Sequence, residues 1–131
     1  NQITPAGAQA LAHAQWTLES LDLESNQLDG DGVAALASAQ SCRKLRSLKL
    51  GWNRCGDAAA IAWANSSALA SIRELDLSGN DLTDAAIAAL ANSPHVANLR
   101  KLELSSNNFT DIDPLVNSPY LKNLRKLNLY G

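Results

Sequence analysis

No run in the sequence approaches the roughly 18 consecutive apolar residues that a membrane-spanning helix needs. The N-terminus, Asn1-Gln2-Ile3-Thr4-Pro5, has neither the basic start nor the apolar stretch of a secretory leader. Both gaps point to a soluble, cytoplasmic chain with no membrane partner. Positive charge is not in excess either: 11 Lys and Arg face 13 Asp and Glu, leaving a net charge of -2. The positive field that sequence-independent nucleic-acid binding requires is missing, so no nucleic-acid partner is expected. There are only two histidines, and neither His13 nor His95 has a second imidazole or a thiolate at ligand spacing, which argues against a metal. No phosphate-binding or dinucleotide-binding glycine pattern occurs, and the Ser, Asp and His residues form no grouping that one cleft would hold. Neither catalysis nor a cofactor is expected.

What is present is a period. Leu18, Leu45, Ile72, Leu99 and Leu124 recur at intervals of 27, 27, 27 and 25 residues, and intervals of this size mark a solenoid. Aligned on them, Leu21, Leu48, Leu75, Leu102 and Leu127 form a second column. Leu23, Leu50, Leu77, Leu104 and Leu129 form a third. One residue separates the second column from the third, a period of two that predicts short strands near 20–23, 47–50, 74–77, 101–104 and 126–129 with leucines on the inner face. Past each strand stand Asn26, Asn53, Asn80 and Asn107, where the chain must leave the sheet with unpaired backbone groups. An amide that donates and accepts can serve its own turn and the next, so an internal asparagine ladder is expected. Asn1 lies two residues before Ile3, as Asn107 does before Phe109, and is read as the same position.

Ala-rich segments follow at 5–14, 32–39, 57–64, 84–91 and, more briefly, 111–116, and these are predicted helices. Thr4, Thr83 and Thr110 stand as N-caps, and Asn65, Asn92 and Asn117 as left-handed caps at the other end. The last segment, with Pro114, is short enough for 3₁₀ geometry. A helix that returns the chain makes successive strands parallel, with right-handed crossovers. The expected fold is therefore an α/β solenoid with a parallel sheet on its concave face and helices on its convex face, each turn burying six or seven apolar groups.

With helical turns of 27 residues and Leu-x-x-Leu-x-Leu-x-x-Asn-x-Leu at 18–28, 72–82 and nearly 99–109, the chain resembles the leucine-rich-repeat proteins, in particular the ribonuclease-inhibitor-like subfamily. Ala10-Leu11-Ala12, Ala35-Leu36-Ala37 and Ala89-Leu90-Ala91 look most like long bacterial arrays. The resemblance covers the whole chain. It implies a horseshoe that binds other proteins on its concave face, with functional residues at variable positions that carry over from no relative. Cys55 and Ile72 are conservative departures from Leu.

Strand alternation leaves a mixed polar strip on that face, from which Lys49, Glu74, Asp76, Lys101 and Glu103 are candidate partner-binding residues. Trp52 joins them because it precedes Asn53 where the other repeats have Ser25, Gly79 and Ser106. It is either an exposed anchor for a partner or a lid packed over Ser25 or Gly79. Trp63 occupies a leucine column and belongs to the core. Arg46, Arg73, Arg100 and Arg125 make one rim basic, and Asp29, Asp31, Asp57, Asp81, Asp84, Asp111 and Asp113 make the other acidic. These rims either complement helix dipoles or steer a partner.

Cys42 and Cys55 occupy apolar columns with a strand between them, beyond the roughly 7 Å that a disulfide spans. Two buried free thiols are expected, as in a reducing compartment. The chain starts in mid-repeat and stops before the last repeat's own Asn and helix. Residues 1–131 are accordingly read as one domain of about five repeats, a fragment of a longer array whose raw ends would stack end to end. The expected activity is non-catalytic protein binding. The alternatives are a recognition arm of a larger enzyme or effector, and a structural spacer.

Overall fold

The computed structural model describes residues 1–131. Its five strands are β1 (Ser20–Asp22), β2 (Ser47–Lys49), β3 (Glu74–Asp76), β4 (Lys101–Glu103) and β5 (Lys126–Asn128). They form one parallel sheet in sequence order, with Leu21, Leu48, Leu75, Leu102 and Leu127 side by side. The helices α1 (Pro5–His13), α2 (Asp29–Ala37), α3 (Gly56–Ala64), α4 (Asp84–Ala91) and α5 (Asp113–Val116) stack on the other side. This is the right-handed leucine-rich solenoid that the periodicity called for. Main-chain pairing continues past the short strands: Arg46 N–H donates to the Glu19 carbonyl and Ser25 N–H to Gly51. The paired strip is thus seven residues wide, not four.

The core is a single cluster in which the third turn contributes Leu45, Leu48, Leu50, Cys55, Trp63 and Leu69, together with small alanines. Small residues let the helices close up. A Cβ on Gly32 would stand 3.1 Å from both Ala8 Cβ and Pro5 Cα, so α1 and α2 touch through their backbones. Burial fades towards the ends of the stack, where Leu127 is exposed and Leu11, Leu21 and Leu121 only partly covered.

The asparagine ladder is built as the spacing required. Asn53 Nδ2 donates to the carbonyls of Leu50, Gly51 and, one turn back, Leu23, while its Oδ1 accepts from Leu28 N–H. Asn80 Oδ1 in turn accepts from the backbones of Asn53 and Cys55 at 3.0 and 3.3 Å. Ile3 N–H donates to Asn26 Oδ1 as Leu28 does to Asn53, which fixes Asn1 in the Asn26 register.

The return segments differ from expectation. Asn65, Asn92 and Asn117 have negative φ and ψ near zero, so they are right-handed final residues and not left-handed caps. The chain enters 3₁₀ turns after Asn65 and Asn92, at Ser67–Ser71 and Pro94–Asn98, and after Ser38, at Gln40–Cys42, which the spacing does not predict; the last segment, read as one or two turns with 3₁₀ geometry open, is a single α turn. The serine after each of those asparagines explains the geometry. Ser66, Ser93 and Ser118 Oγ donate to the carbonyls of Ala37, Ala64 and Ala91 on the preceding turn, at 2.5, 2.5 and 2.6 Å, and also accept from the backbone two residues on. A second ladder thus ties the helix ends together.

Of the three threonines expected to cap helices, only Thr83 does so. Thr4 makes no side-chain cap, and α5 starts after Ile112, so Thr110 is outside it. α2 begins three residues earlier than expected because Asp29, at φ 51, turns its own Oδ1 onto Asp31 and Gly32 N–H. Thr83, besides capping α4, and Thr110 serve a third ladder, in which Asp57 accepts from Thr83 N–H and Oγ1. Asp84 accepts likewise from Thr110 and from Asp111 N–H. The Asp111 and Thr110 amides hold the Asp84 carboxyl below its ordinary value of 3.8. A depressed folded value means that this contribution is present above the unfolded pKa and is lost as pH falls through the lower folded one. Asp84→Asn is therefore expected to melt below wild type at pH 6, with the gap closing as pH drops below 3.8; calorimetry across that range checks it.

Cys42 and Cys55 are buried free thiols. Burial raises the Cys42 pKa and pushes Cys55 up to about 12, which suppresses the reactive thiolate at neutral pH. An aromatic disulfide reagent should find two thiols in the unfolded chain and react only slowly with the native one. A native chain that reacts at the rate of a free thiol would contradict this burial.

Candidate interaction surface

The concave face is a grid ordered by the strand register. Ser47, Glu74, Lys101 and Lys126 form one row, and Lys49, Asp76, Glu103 and Asn128 the next. Lys49, Glu74, Asp76, Lys101 and Glu103 are thus neighbours, lining one shallow dip of about 30 Å³ with Ser47, Leu48 and Leu75. Four of the five are already engaged. Lys49 pairs with Asp22 at 3.4 Å and Lys101 with Glu103 at 3.5 Å, while Asp76 Oδ1 accepts from Ser78 N–H and Oγ. The Lys49–Asp22 pair is exposed on both sides, a kind worth about 0–1 kcal/mol, so a partner's charge can replace it at little cost. Glu74, exposed and unpaired, is the most available charge of the five.

Trp52 stands apart from this dip. It is 53% exposed and lines an open cleft of about 710 Å³ on the rim where strands turn into helices, with Asp29, Asp81, Gln27 and Gly79. Its indole is at once half-exposed and packed on a neighbour. A Cβ on Gly79 would lie 2.5 Å from Trp52 Cδ2, so the indole covers the neighbouring glycine with one face and offers the rest to solvent. Ser25, Trp52, Gly79 and Ser106 share positive φ, Trp52 at 58°. That conformation costs a bulky residue roughly 1–2 kcal/mol, and Gly79 beneath it is required twice, by its own φ of 59° and by the indole.

The rims separate the two charge readings. Asp29, Asp31, Asp57, Asp84 and Asp113 fall in first helical turns, where dipole complementarity accounts for them. The arginines are different. Arg46, Arg73 and Arg100 lie nine residues beyond the ends of α2, α3 and α4, and four, two and two residues beyond the 3₁₀ turns at Gln40–Cys42, Ser67–Ser71 and Pro94–Asn98. Their 27-residue column is visible in the sequence, but no local signal there sets their role apart from that of the aspartates.

These features define a class: a repeat solenoid that presents an open, graded surface. Residues 17–37, 41–62 and 68–91 match the family model described as Leucine Rich repeat, and residues 97–131 match Leucine Rich repeats (2 copies). The chain belongs to the leucine-rich-repeat family. A crystal structure of an internalin from Listeria monocytogenes str. 4b F2365 superimposes over 100% of this chain with a TM-score of 0.56 at 21% identity, and so shares its fold. The chain spans 39% of that internalin's length. No curated protein matches the sequence. No helix is long and apolar enough to cross a membrane.

Proposed function

We propose that this protein is a non-catalytic scaffold, of the ribonuclease-inhibitor-like kind, that binds a protein partner across the concave grid and the Trp52 rim. The observation that carries the reading is the grid itself: charged side chains in register on a rigid sheet, one of them held by a weak pair that a partner can exchange, beside a half-exposed tryptophan. Binding sites of this type concentrate energy in an aromatic anchor and take specificity from surrounding charge. Five strands at about 4.8 Å and seven paired residues at about 3.3 Å project roughly 550 Å². A stable interface takes about 800 Å² per partner, so the rims or further repeats must contribute, and residues 1–131 act within a longer array. The two buried thiols fit a cytoplasmic setting.

The experiment compares proteins retained by the wild type with those retained by Trp52→Ala and by Glu74→Lys. A specific partner should bind at least tenfold more weakly to each variant while their melting temperatures stay near wild type. A partner whose binding survives both substitutions would defeat the concave-face reading.

A further inference from the structure

Arg46, Arg73, Arg100 and Arg125 form a ladder of positive charge along the rim where chains enter the strands. Their backbones are directly bonded, Arg73 N–H to Arg46 carbonyl, Arg100 to Arg73 and Arg125 to Arg100, each at 2.8 Å. The side chains therefore start one strand spacing apart, about 4.8 Å. All four are exposed, and neither ion pair of the structure involves any of them. Stacking like charges this closely is unfavourable. Arg46, Arg73 and Arg100, with Arg43 and Lys44, line an open groove of about 400 Å³. Its floor is polar: Asn98 and Asn123 spend their amide N–H on the Ala70 and Ala97 carbonyls and keep their Oδ1 atoms free. Register places Glu19 on the β1 rung of the same column, since Arg46 N–H donates to the Glu19 carbonyl. The ladder thus reads acid, base, base, base, base.

We infer that this groove is a second binding site, independent of the concave grid, for an acidic helical segment of a partner protein bearing one carboxylate per turn. Spacing selects the helix. Four arginines cover about 14 Å, four helical turn positions about 16 Å and four same-side positions of an extended strand about 20 Å, so only the helix keeps each carboxylate opposite its own guanidinium for bidentate pairing. Charge selects a short protein segment over a nucleic acid. Beyond the groove lie Asp22, Glu24, Glu74, Asp76 and Glu103 on one side and a net charge of -2 overall, a field that repels a long polyanion. Glu19 adds direction: the segment carries a basic residue one turn past its last carboxylate, at the end lying over β1.

Fluorescence anisotropy with a synthetic 20-residue helical peptide tests this, the peptide bearing four Glu on one face and a terminal Lys one turn beyond. It should bind at least tenfold more tightly than a peptide of the same composition with its Glu residues scattered around the helix. Affinity should fall as salt rises. Arg73→Glu/Arg100→Glu should weaken binding more than tenfold, and Arg73→Lys/Arg100→Lys by less. Equal binding of both peptides, indifference to the Glu double variant, tighter binding of oligouridylate RNA or no binding at millimolar peptide would each overturn the inference. So would Arg73-dependent self-association without peptide, which would assign the groove to a second copy. Should the Glu double variant not fold, Arg46→Glu, which lines the same groove, gives the same decision.

Discussion

Asn80→Ala is expected to lower the unfolding free energy by about 3–5 kcal/mol, because buried backbone groups left without partners cost about 1–3 kcal/mol each. Asn80 is fully buried. Its Nδ2 serves the carbonyls of Leu50 and Ser78, and its Oδ1 serves the amides of Asn53 and Cys55. Alanine removes all four bonds and leaves a gap too enclosed for easy repair by solvent. Asp at the same position restores the acceptor but loses the donor, so it should fall between. Urea denaturation monitored by circular dichroism gives the comparison; a loss under about 1 kcal/mol would mean that water replaces the side chain and that the ladder is not what holds the turns.

Trp63→Ala is expected to cost a similar amount by a different route, about 3–5 kcal/mol for an emptied aromatic site. Trp63 has no exposed surface and is the largest side chain in the core, with Nε1 donating to the Val33 carbonyl of the preceding turn at 3.2 Å. Truncation thus opens a cavity and removes this cross-turn bond together. Trp63→Phe keeps most of the volume and isolates the hydrogen bond, which is worth roughly 1 kcal/mol. Equal losses for the Phe and Ala variants would show that the bond, and not packing, dominates.

The repeat made the sheet legible. Once Leu18, Leu45, Ile72, Leu99 and Leu124 set the frame, neighbouring strands had one register that keeps all leucines inside, and the structure adopts it. The asparagine ladder followed because a polar residue at a fixed place in an apolar column needs fixed partners. The returns were illegible for the opposite reason. Ser66, Ser93 and Ser118 find their partners 27 to 29 residues away, and nothing local separates a hydroxyl that reaches across turns from one in water. Reading Asn-Ser as a left-handed cap used local propensity where tertiary bonding decided. The paired width was underestimated because the leucine alternation ends at Leu23, while backbone pairing runs on to Ser25. Within the candidate site, alternation identified which residues face out, but the pairs Lys49–Asp22 and Lys101–Glu103 depend on side-chain reach that no spacing rule encodes.

All three ladders bind a turn to itself and to its immediate neighbours, and none reaches further along the stack. Tension applied between Asn1 and Gly131 is consequently borne in series. The solenoid yields as a zip does, from its half-covered ends inward, releasing about 27 residues at each step while the remaining turns keep their bonds. Such a molecule behaves mechanically as an extensible tether: it pays out length in instalments under modest load and recovers each turn by templating on the one still folded.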